Sequence, residues 1–167
     1  AISSAGAHLL YAGNVGDMQD LERLVNAAHL TRDEGVHLTI VGDGVALPRV
    51  QRLAKELSAH NVDFVGQVPR QSMGDFYHQA DFALVTLKDL PAFRGTVPSK
   101  LQAALAHGIP VVTTVQGDVR DLVEAMQVGF TANAEDTASL VAALRRAAST
   151  TVPERDAMGM RARALYN

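Results

Sequence analysis

The chain has 167 residues, 47% of them hydrophobic, and a net charge of −3. This length and composition fit one domain with its own core. The small net charge argues against a nucleic-acid platform or a polybasic membrane patch, and the lack of cysteine excludes disulfides, thiolate catalysis and Cys-based zinc sites.

Strand and helix patterns alternate through the first half of the chain. Short apolar runs at residues 9–12, 36–41 and 61–65 predict strands, and each is closed by a glycine. Between them, apolar residues recur at helical spacing over residues 21–28 and 50–57, which predicts two amphipathic helices. These repeats indicate strands joined by helical crossovers.

The alternation continues in the second half. Strands are predicted at residues 82–85, 110–114 and 129–132, and helices at 72–77, 99–107, 118–126, about 140–148 and 154–166. Ser72 with Asp75, and Ser99 with Gln102, fit capping boxes, and Asp118 fits an N-cap. The predicted fold class is therefore α/β, a Rossmann-like three-layer sandwich with a parallel sheet of about six strands.

The segment from Gly95 to Thr114 carries the clearest functional signal. Its helix is entered through Gly95 and Thr96, so its first N–H groups and positive dipole end would face an anion. Lys100, with Arg94 and Lys88 upstream, adds positive charge where a pyrophosphate would lie. The segment predicts a diphosphate site at the carboxyl edge of the sheet.

Each motif also has a purely structural interpretation. Gly13-Asn14-Val15-Gly16 is either a loop that approaches phosphate or an ordinary strand-to-helix turn. Lys100 is either a phosphate ligand or a solvated lysine, although a lysine at a helix start opposes the dipole unless an anion is present. Gly42-Asp43-Gly44 lacks the third glycine of a dinucleotide fingerprint and is better interpreted as a tight turn.

The histidines show no metal-ligand spacing. None of the six belongs to a His-Glu-x-x-His motif, and no Asp-x-Asp pair, nucleophile elbow or Walker loop is present. His107, followed by Gly108, is expected to cap a helix C-terminus. We expect neither a protein-bound metal nor a cofactor.

In order, the motifs resemble those of the C-terminal donor-binding domain of GT-B-fold glycosyltransferases of the retaining, group 1 family. The resemblance covers residues 9–144 and rests on the following series: Tyr11-Ala-Gly-Asn14, Leu38-Thr-Ile-Val-Gly-Asp-Gly44, Val62-Asp-Phe-Val-Gly66 with Val68-Pro69, Met73 and Tyr77, Ala80-Asp81, Val97-Pro-Ser-Lys-Leu101, Gly108-Ile-Pro-Val-Val112 and Gly117. Each motif is weak, but their order and spacing are specific.

This resemblance implies a nucleotide-sugar donor held across the strand ends. Gly13 and Asn14 would approach the diphosphate or the sugar, and the backbone of Gly66, Gln67 and Val68 would border the base. The leaving diphosphate would be neutralised by the helix N-terminus and its flanking residues, Arg94, Gly95, Thr96, Ser99 and Lys100.

One departure concerns two glutamates that the family usually carries, one near the sugar and one on the ribose hydroxyls. Gly95 and Ala103 occupy those positions here. A methyl group accepts no hydrogen bond, so ribose recognition must come from elsewhere or be weaker. Asp118 and Gln102 are the substitutes that the sequence suggests.

The resemblance implies that residues 1–167 form a single nucleotide-sugar-binding domain, the C-terminal half of a glycosyltransferase. We expect an excised domain whose acceptor site and acid–base groups lie in an absent N-terminal domain, so that it is inactive alone. The expected partners are a nucleotide-diphosphate sugar and a glycan or lipid-linked acceptor, without nucleic acid. The expected location is the cytoplasm, with peripheral association of the parent at the inner face of the membrane. A non-catalytic interaction module, favoured by Ala103, and half of a sugar-nucleotide epimerase remain as alternatives.

Overall fold

Six strands form one parallel sheet in the computed structural model, which describes residues 6–95 and 97–166. They are β1 (Ala7–Ala12), β2 (Val36–Val41), β3 (Val62–Gly66), β4 (Phe82–Val85), β5 (Val111–Thr113) and β6 (Gly129–Thr131). Their order across the sheet is β3-β2-β1-β4-β5-β6. All five neighbouring pairs are parallel. This order reverses beside β1, which confirms the predicted Rossmann-like class and creates a crevice at the carboxyl ends of the strands.

Helices cover both faces of the sheet. One face carries α1 (Leu21–Leu30), α2 (Leu47–Leu57) and α6 (Thr137–Ser149), and the other carries α3 (Met73–Gln79), α4 (Ser99–Ala106) and α5 (Asp118–Met126). Because successive strand residues point to opposite faces, Leu9 and Tyr11 join the first apolar layer and Leu10 joins the second. The core is therefore two apolar layers separated by the sheet.

The last helix, α7 (Val152–Tyr166), packs against α4 and closes the amino edge of the sheet. Gly159 lies so close to the carbonyl oxygen of Gly108 that a Cβ there would overlap it. Arg155 is 10% exposed and lies 3.2 Å from the carboxylate of Asp81, with its guanidinium carbon 5.6 Å from the centre of the Phe82 ring. These contacts fix α7 to the start of β4 and to the turn before β5.

Two of the predicted helix caps are wrong, and a third has the right position without the hydrogen bond. Ser72 is the N-cap of α3, as predicted, but it has helical dihedral angles and its side chain makes no capping hydrogen bond, because a 3-10 turn over Arg70–Ser72 leads directly into α3. The N-cap of α4 is Pro98, so Ser99 is the first helical residue. The N-cap of α5 is Gly117, and Asp118 lies in the first turn, where its charge suits the helix dipole.

Candidate functional site

A cleft of about 860 Å³ opens at the carboxyl edge of the sheet, beside β1. It is bounded by the turns after β1, β2 and β3 and by α3 and α4. Six of the residues predicted from the sequence line it: Gly13, Asn14, Gln67, Val68, Ser99 and Lys100. Turns that are far apart in the sequence therefore form one concave surface, as expected at the switch point of such a sheet.

The glycine turns interlock at the floor of this cleft. The N–H of Gly13 donates to the carbonyl of Val41 at 2.9 Å, and the N–H of Gly42 donates to the carbonyl of Gly66 at 2.8 Å. Gly42 has a φ of +142°, and a Cβ at this position would overlap the carbonyl oxygen of Gly13. Only glycine fits here, so Gly42 has a role beyond a tight turn: it sets the close contact between two neighbouring turns.

Lys100 extends from α4 over Gly13 to the side chain of Tyr11. Its Nζ donates to Tyr11 Oη at 2.8 Å, and that hydroxyl donates to the carbonyl oxygen of Asn14 at 2.6 Å. Gly13 has a φ of +151°, and a Cβ there would overlap Cε of Lys100. The glycine thus leaves room for the lysine stem, while Tyr11 fixes its end.

The charge on Lys100 has no acidic partner. No Asp or Glu in residues 6–95 and 97–166 lies within ion-pair distance of its ammonium group. Burial lowers the pKa of Lys100 to about 8 and raises the pKa of Tyr11, which remains a neutral hydroxyl. A bound anion would supply the missing partner, and it would raise the pKa of the lysine again.

The first turn of α4 faces the same space. Ser99 and Lys100, its first two residues, both line the cleft. The preceding Pro98 has no side-chain group that could accept a hydrogen bond from the first N–H groups of the helix. The positive end of the helix dipole and the Lys100 ammonium group are therefore directed at one site, an arrangement that favours an anion.

Asn14 is held at the mouth of the cleft by a neighbour that the sequence did not indicate. Gln19 Oε1 accepts from Asn14 Nδ2 at 3.4 Å and from the Gly16 N–H at 2.9 Å. Both bonds keep the turn after β1 closed over the start of α1. The Asn14 amide is therefore a positioned polar group at the rim.

The other predicted residues lie elsewhere. Arg94 is exposed, and its Nε donates to Asp89 Oδ1 at 2.9 Å, away from the cleft lining. Gly95 is exposed with open space around it, and Gly66 contributes its carbonyl to the floor rather than a surface of the cleft. Thr96 lies outside the described residues.

The end of the cleft opposite Lys100 is formed by Ala103, His107 and Tyr77. His107 is the C-cap of α4, as predicted, and its ring stacks on Tyr77 with centroids 4.4 Å apart. Burial raises the pKa of Tyr77. Neither Gln102 nor Asp118 lines the cleft, so neither suggested substitute for the ribose glutamate reaches it.

Several cleft residues were not among the predicted site residues: Asp43, Arg70, Met73, Gly74, Tyr77 and His107. Ala103 lines the cleft, where the resemblance placed the position of the ribose glutamate. Asp43 and Arg70 follow β2 and β3, so their position just beyond a parallel strand was a usable signal. Tyr77 and His107 enter the site through the packing of α3 beside α4, which has no local signature.

Two further findings concern residues 6–95 and 97–166. They contain no group of three or more His, Cys, Asp or Glu side chains arranged to hold a metal ion. No helix among them combines the length and apolarity needed to cross a membrane.

Comparisons with known proteins agree on one family. The family model described as "Glycosyl transferases group 1" matches residues 6–150. WcaI of Escherichia coli, whose name assigns it to glycosyl transfer in colanic acid biosynthesis, is 30% identical over 142 residues, covering 83% of this chain and 35% of WcaI. WbjE of Pseudomonas aeruginosa, named as a glycosyltransferase, is 25% identical over 78% of this chain and 33% of its own length.

Solved structures share the fold. Anabaena HepE in complex with UDP superposes with a TM-score of 0.81 at 16% identity, covering 97% of this chain and 44% of HepE. The chain spans about one third of the length of the curated relatives it matches.

Proposed function

Because the chain belongs to the group 1 glycosyltransferase family, we propose that it is the nucleotide-sugar donor-binding domain of an enzyme that transfers a sugar to a glycan or lipid-linked acceptor. One observation carries the proposal. The Lys100 ammonium group and the start of α4 meet, without an acidic partner in the described residues, in a cleft of about 860 Å³ floored by glycine turns. The diphosphate of the donor is the anion that this site fits.

The proposed chemistry follows from where charge develops. During transfer the bond between the anomeric carbon and the diphosphate oxygen breaks, and negative charge accumulates on the leaving nucleoside diphosphate. Lys100 and the α4 N-terminus would lie against that charge, and a preorganised cation and dipole stabilise the transition state more than the ground state. The proposal assigns this role to these two groups rather than to a metal ion.

Each predicted residue has a role in this proposal. Tyr11 orients Lys100 through its 2.8 Å hydrogen bond, and the turn from Gly13 to Asn14 offers backbone close to the diphosphate or the sugar. Gln67 and Val68 border the base, with Gly66 supporting the turn, and Ser99 adds a hydroxyl beside the phosphates. Arg94 and Gly95 lie on the loop before α4, and Arg94 would act only after leaving Asp89.

The proposal also covers the intact protein, of which this chain would form one part. We expect its acceptor site and acid–base groups on a further domain, N-terminal to residues 1–167, since the chain spans about a third of its relatives. The family assignment supports a cytoplasmic enzyme of polysaccharide biosynthesis, with its acceptor at the inner membrane face. The present chain would bind donor but transfer no sugar alone.

The test is a titration of the 167-residue chain with UDP, GDP and ADP, in which calorimetry and amide NMR spectra detect binding. We expect binding in the micromolar-to-millimolar range by at least one nucleotide, with the largest shifts at Gly13, Gly42, Ser99 and Lys100. No binding at millimolar concentration, or shifts confined to α7, would contradict the proposal.

A further inference from the structure

His107 lines the cleft at the end remote from Lys100. Its Nδ1 lies 2.9 Å from the carbonyl oxygen of Ala103, one helical turn earlier. A carbonyl oxygen only accepts, so Nδ1 carries the hydrogen in this contact. In the neutral ring Nε2 then has the free lone pair, and it has no hydrogen-bond partner among the described residues.

Two contacts hold the ring of His107, and a third holds its backbone. It stacks on Tyr77 with an interplanar angle of 12°, and Tyr77 is itself 6% exposed. Arg163 of α7 donates to the backbone carbonyl of His107 at 3.2 Å. A ring held by stacking and by a hydrogen bond to its own helix, on a residue whose backbone α7 contacts, keeps its remaining nitrogen in one direction, so a ligand would bind it at little entropic cost.

The neighbour of His107 in the cleft is a small residue. Ala103 lies one turn towards Lys100 and contributes only a methyl group to the cleft lining. Lys100 and His107 are seven positions apart on the helix and its cap, which corresponds to about 10 Å along the axis. This span suits a ligand with an anionic group at one end and hydroxyl groups at the other.

We propose that His107 Nε2 accepts a hydrogen bond from a ribose hydroxyl of the bound nucleoside diphosphate. The inference rests on the proposed function and adds the residue that makes the site specific for ribonucleotides. It is motivated by an acceptor with a fixed orientation at one end of α4 and, at the other end, a cation without an acidic partner among the described residues.

The experiment compares the tightest-binding of UDP, GDP and ADP with its 2′-deoxy and 3′-deoxy counterparts by calorimetry. The unaltered chain should bind the ribonucleotide about 3- to 10-fold more tightly than at least one deoxy form, the range of one net hydrogen bond. His107→Phe keeps a ring to stack on Tyr77 but removes the acceptor. In this variant the affinity for the ribonucleotide should fall to that for the deoxy form, and the affinity for the deoxy form should not change.

Two further variants make the result specific. His78→Phe removes a histidine from the exposed side of α3 and serves as the matched control, with no change expected for any nucleotide. Ala103→Glu combined with His107→Phe places a carboxylate acceptor one turn away and should restore discrimination between ribo and deoxy forms. Thermal unfolding of each variant checks that its fold is intact.

Three results would overturn the inference. The first is an unaltered chain that does not distinguish ribo from deoxy forms. The second is a His107→Phe variant that still distinguishes them. The third is an equal loss of affinity for the ribo and deoxy forms in this variant, which would show that His107 contacts the base or supports the fold. If the unaltered chain binds none of the three nucleotides, the proposed function fails as well, and the two failures are thereby told apart.

Discussion

The two edges of the sheet carry cavities of similar size, and each has a cationic side chain, but the two cations differ in their partners. The cleft at the carboxyl edge has about 860 Å³ and the cavity at the amino edge has about 720 Å³. At the amino edge, Arg155 contacts Asp81, the Phe82 ring, the carbonyls of Gly6 and Ala147, and the Thr150 hydroxyl. At the carboxyl edge, the Lys100 ammonium group donates to the neutral hydroxyl of Tyr11 and has no acidic partner among the described residues.

The difference teaches that volume alone does not identify a ligand site. A buried cation with all its partners in place stabilises the fold, as Arg155 does. A buried cation without an anion is an electrostatic cost that a ligand can remove, as at Lys100. We therefore assign function to the carboxyl edge and structure to the amino edge.

The largest expected effect is a loss of stability from a substitution in the glycine turns at the carboxyl edge. Gly42→Ala should lower the free energy of unfolding by about 3 kcal/mol, because it combines an unfavourable φ with overlap onto the Gly13 carbonyl. Gly66→Ala is the matched control: its φ is +81° but the space is open, so the loss should be about 1 kcal/mol. Urea unfolding measures both. Equal losses would contradict the prediction, because they would show that the interlocked turns can rearrange around the added Cβ at little energetic cost.

The amino edge should respond in stability alone. Arg155→Met should lower the free energy of unfolding by about 2 kcal/mol, because Asp81 and several carbonyls lose their donor. Arg161→Met, on the same helix with one exposed contact to Gln127, should change it by less than about 0.5 kcal/mol. Nucleotide affinity of the folded Arg155→Met protein should match that of the unaltered chain. A weakened affinity would contradict the division between the two edges.

Lys100→Met should affect binding and stability in opposite directions. Losing the charged donor should weaken nucleoside diphosphate binding about 10-fold. The pKa of Lys100 is lowered from 10.5 to about 8 by folding, so its charge is disfavoured in the fold at neutral pH. Its removal should therefore raise Tm by about 2 °C.

Arg94→Met is the matched control for this variant. Because Arg94 is exposed and paired with Asp89, its loss should weaken binding less than about 3-fold. Calorimetry and thermal scans measure both variants. A larger loss of affinity for the Arg94 variant than for the Lys100 variant would indicate that the anion binds at the loop before α4.

The smallest expected effect is a dependence on pH. With a pKa of about 8, Lys100 is mostly charged near pH 7 and mostly neutral near pH 9, so nucleotide affinity should fall about 5-fold over that interval. Lys100→Met should show a flat profile from about pH 7 to about pH 9. An unchanged slope in this variant would attribute the titration to another group.

The sheet and its glycine turns could be predicted from the sequence because their signals are local. Apolar runs, helical spacing and closing glycines each occupy a few neighbouring residues, and a parallel sheet brings its carboxyl ends together. The caps were harder, because the N-caps of α4 and α5 lie one residue earlier than predicted, at Pro98 and Gly117, and the 3-10 turn before α3 leaves Ser72 without a capping hydrogen bond.

The pairings within the site could not be predicted in the same way. Tyr11 and Lys100 are 89 positions apart, and Tyr77 meets His107 only because α3 and α4 pack side by side. Arg94 shows the opposite case. Its positive charge suggested a phosphate ligand, but in the structure it pairs with Asp89, a contact that the sequence did not indicate. Local patterns locate the chemical groups, while long-range packing decides which of them face the cleft.

The contact of α7 with α4 has a practical consequence for where this chain can be shortened. The family match ends at residue 150, yet Arg155, Gly159 and Arg163 beyond it contact Asp81, Gly108 and His107. A piece cut at that boundary would lose the support beneath the far end of α4, and with it the orientation of the His107 ring. Truncation there should impair ligand selectivity before it abolishes folding, so binding studies on shortened versions need to retain residues 151–166.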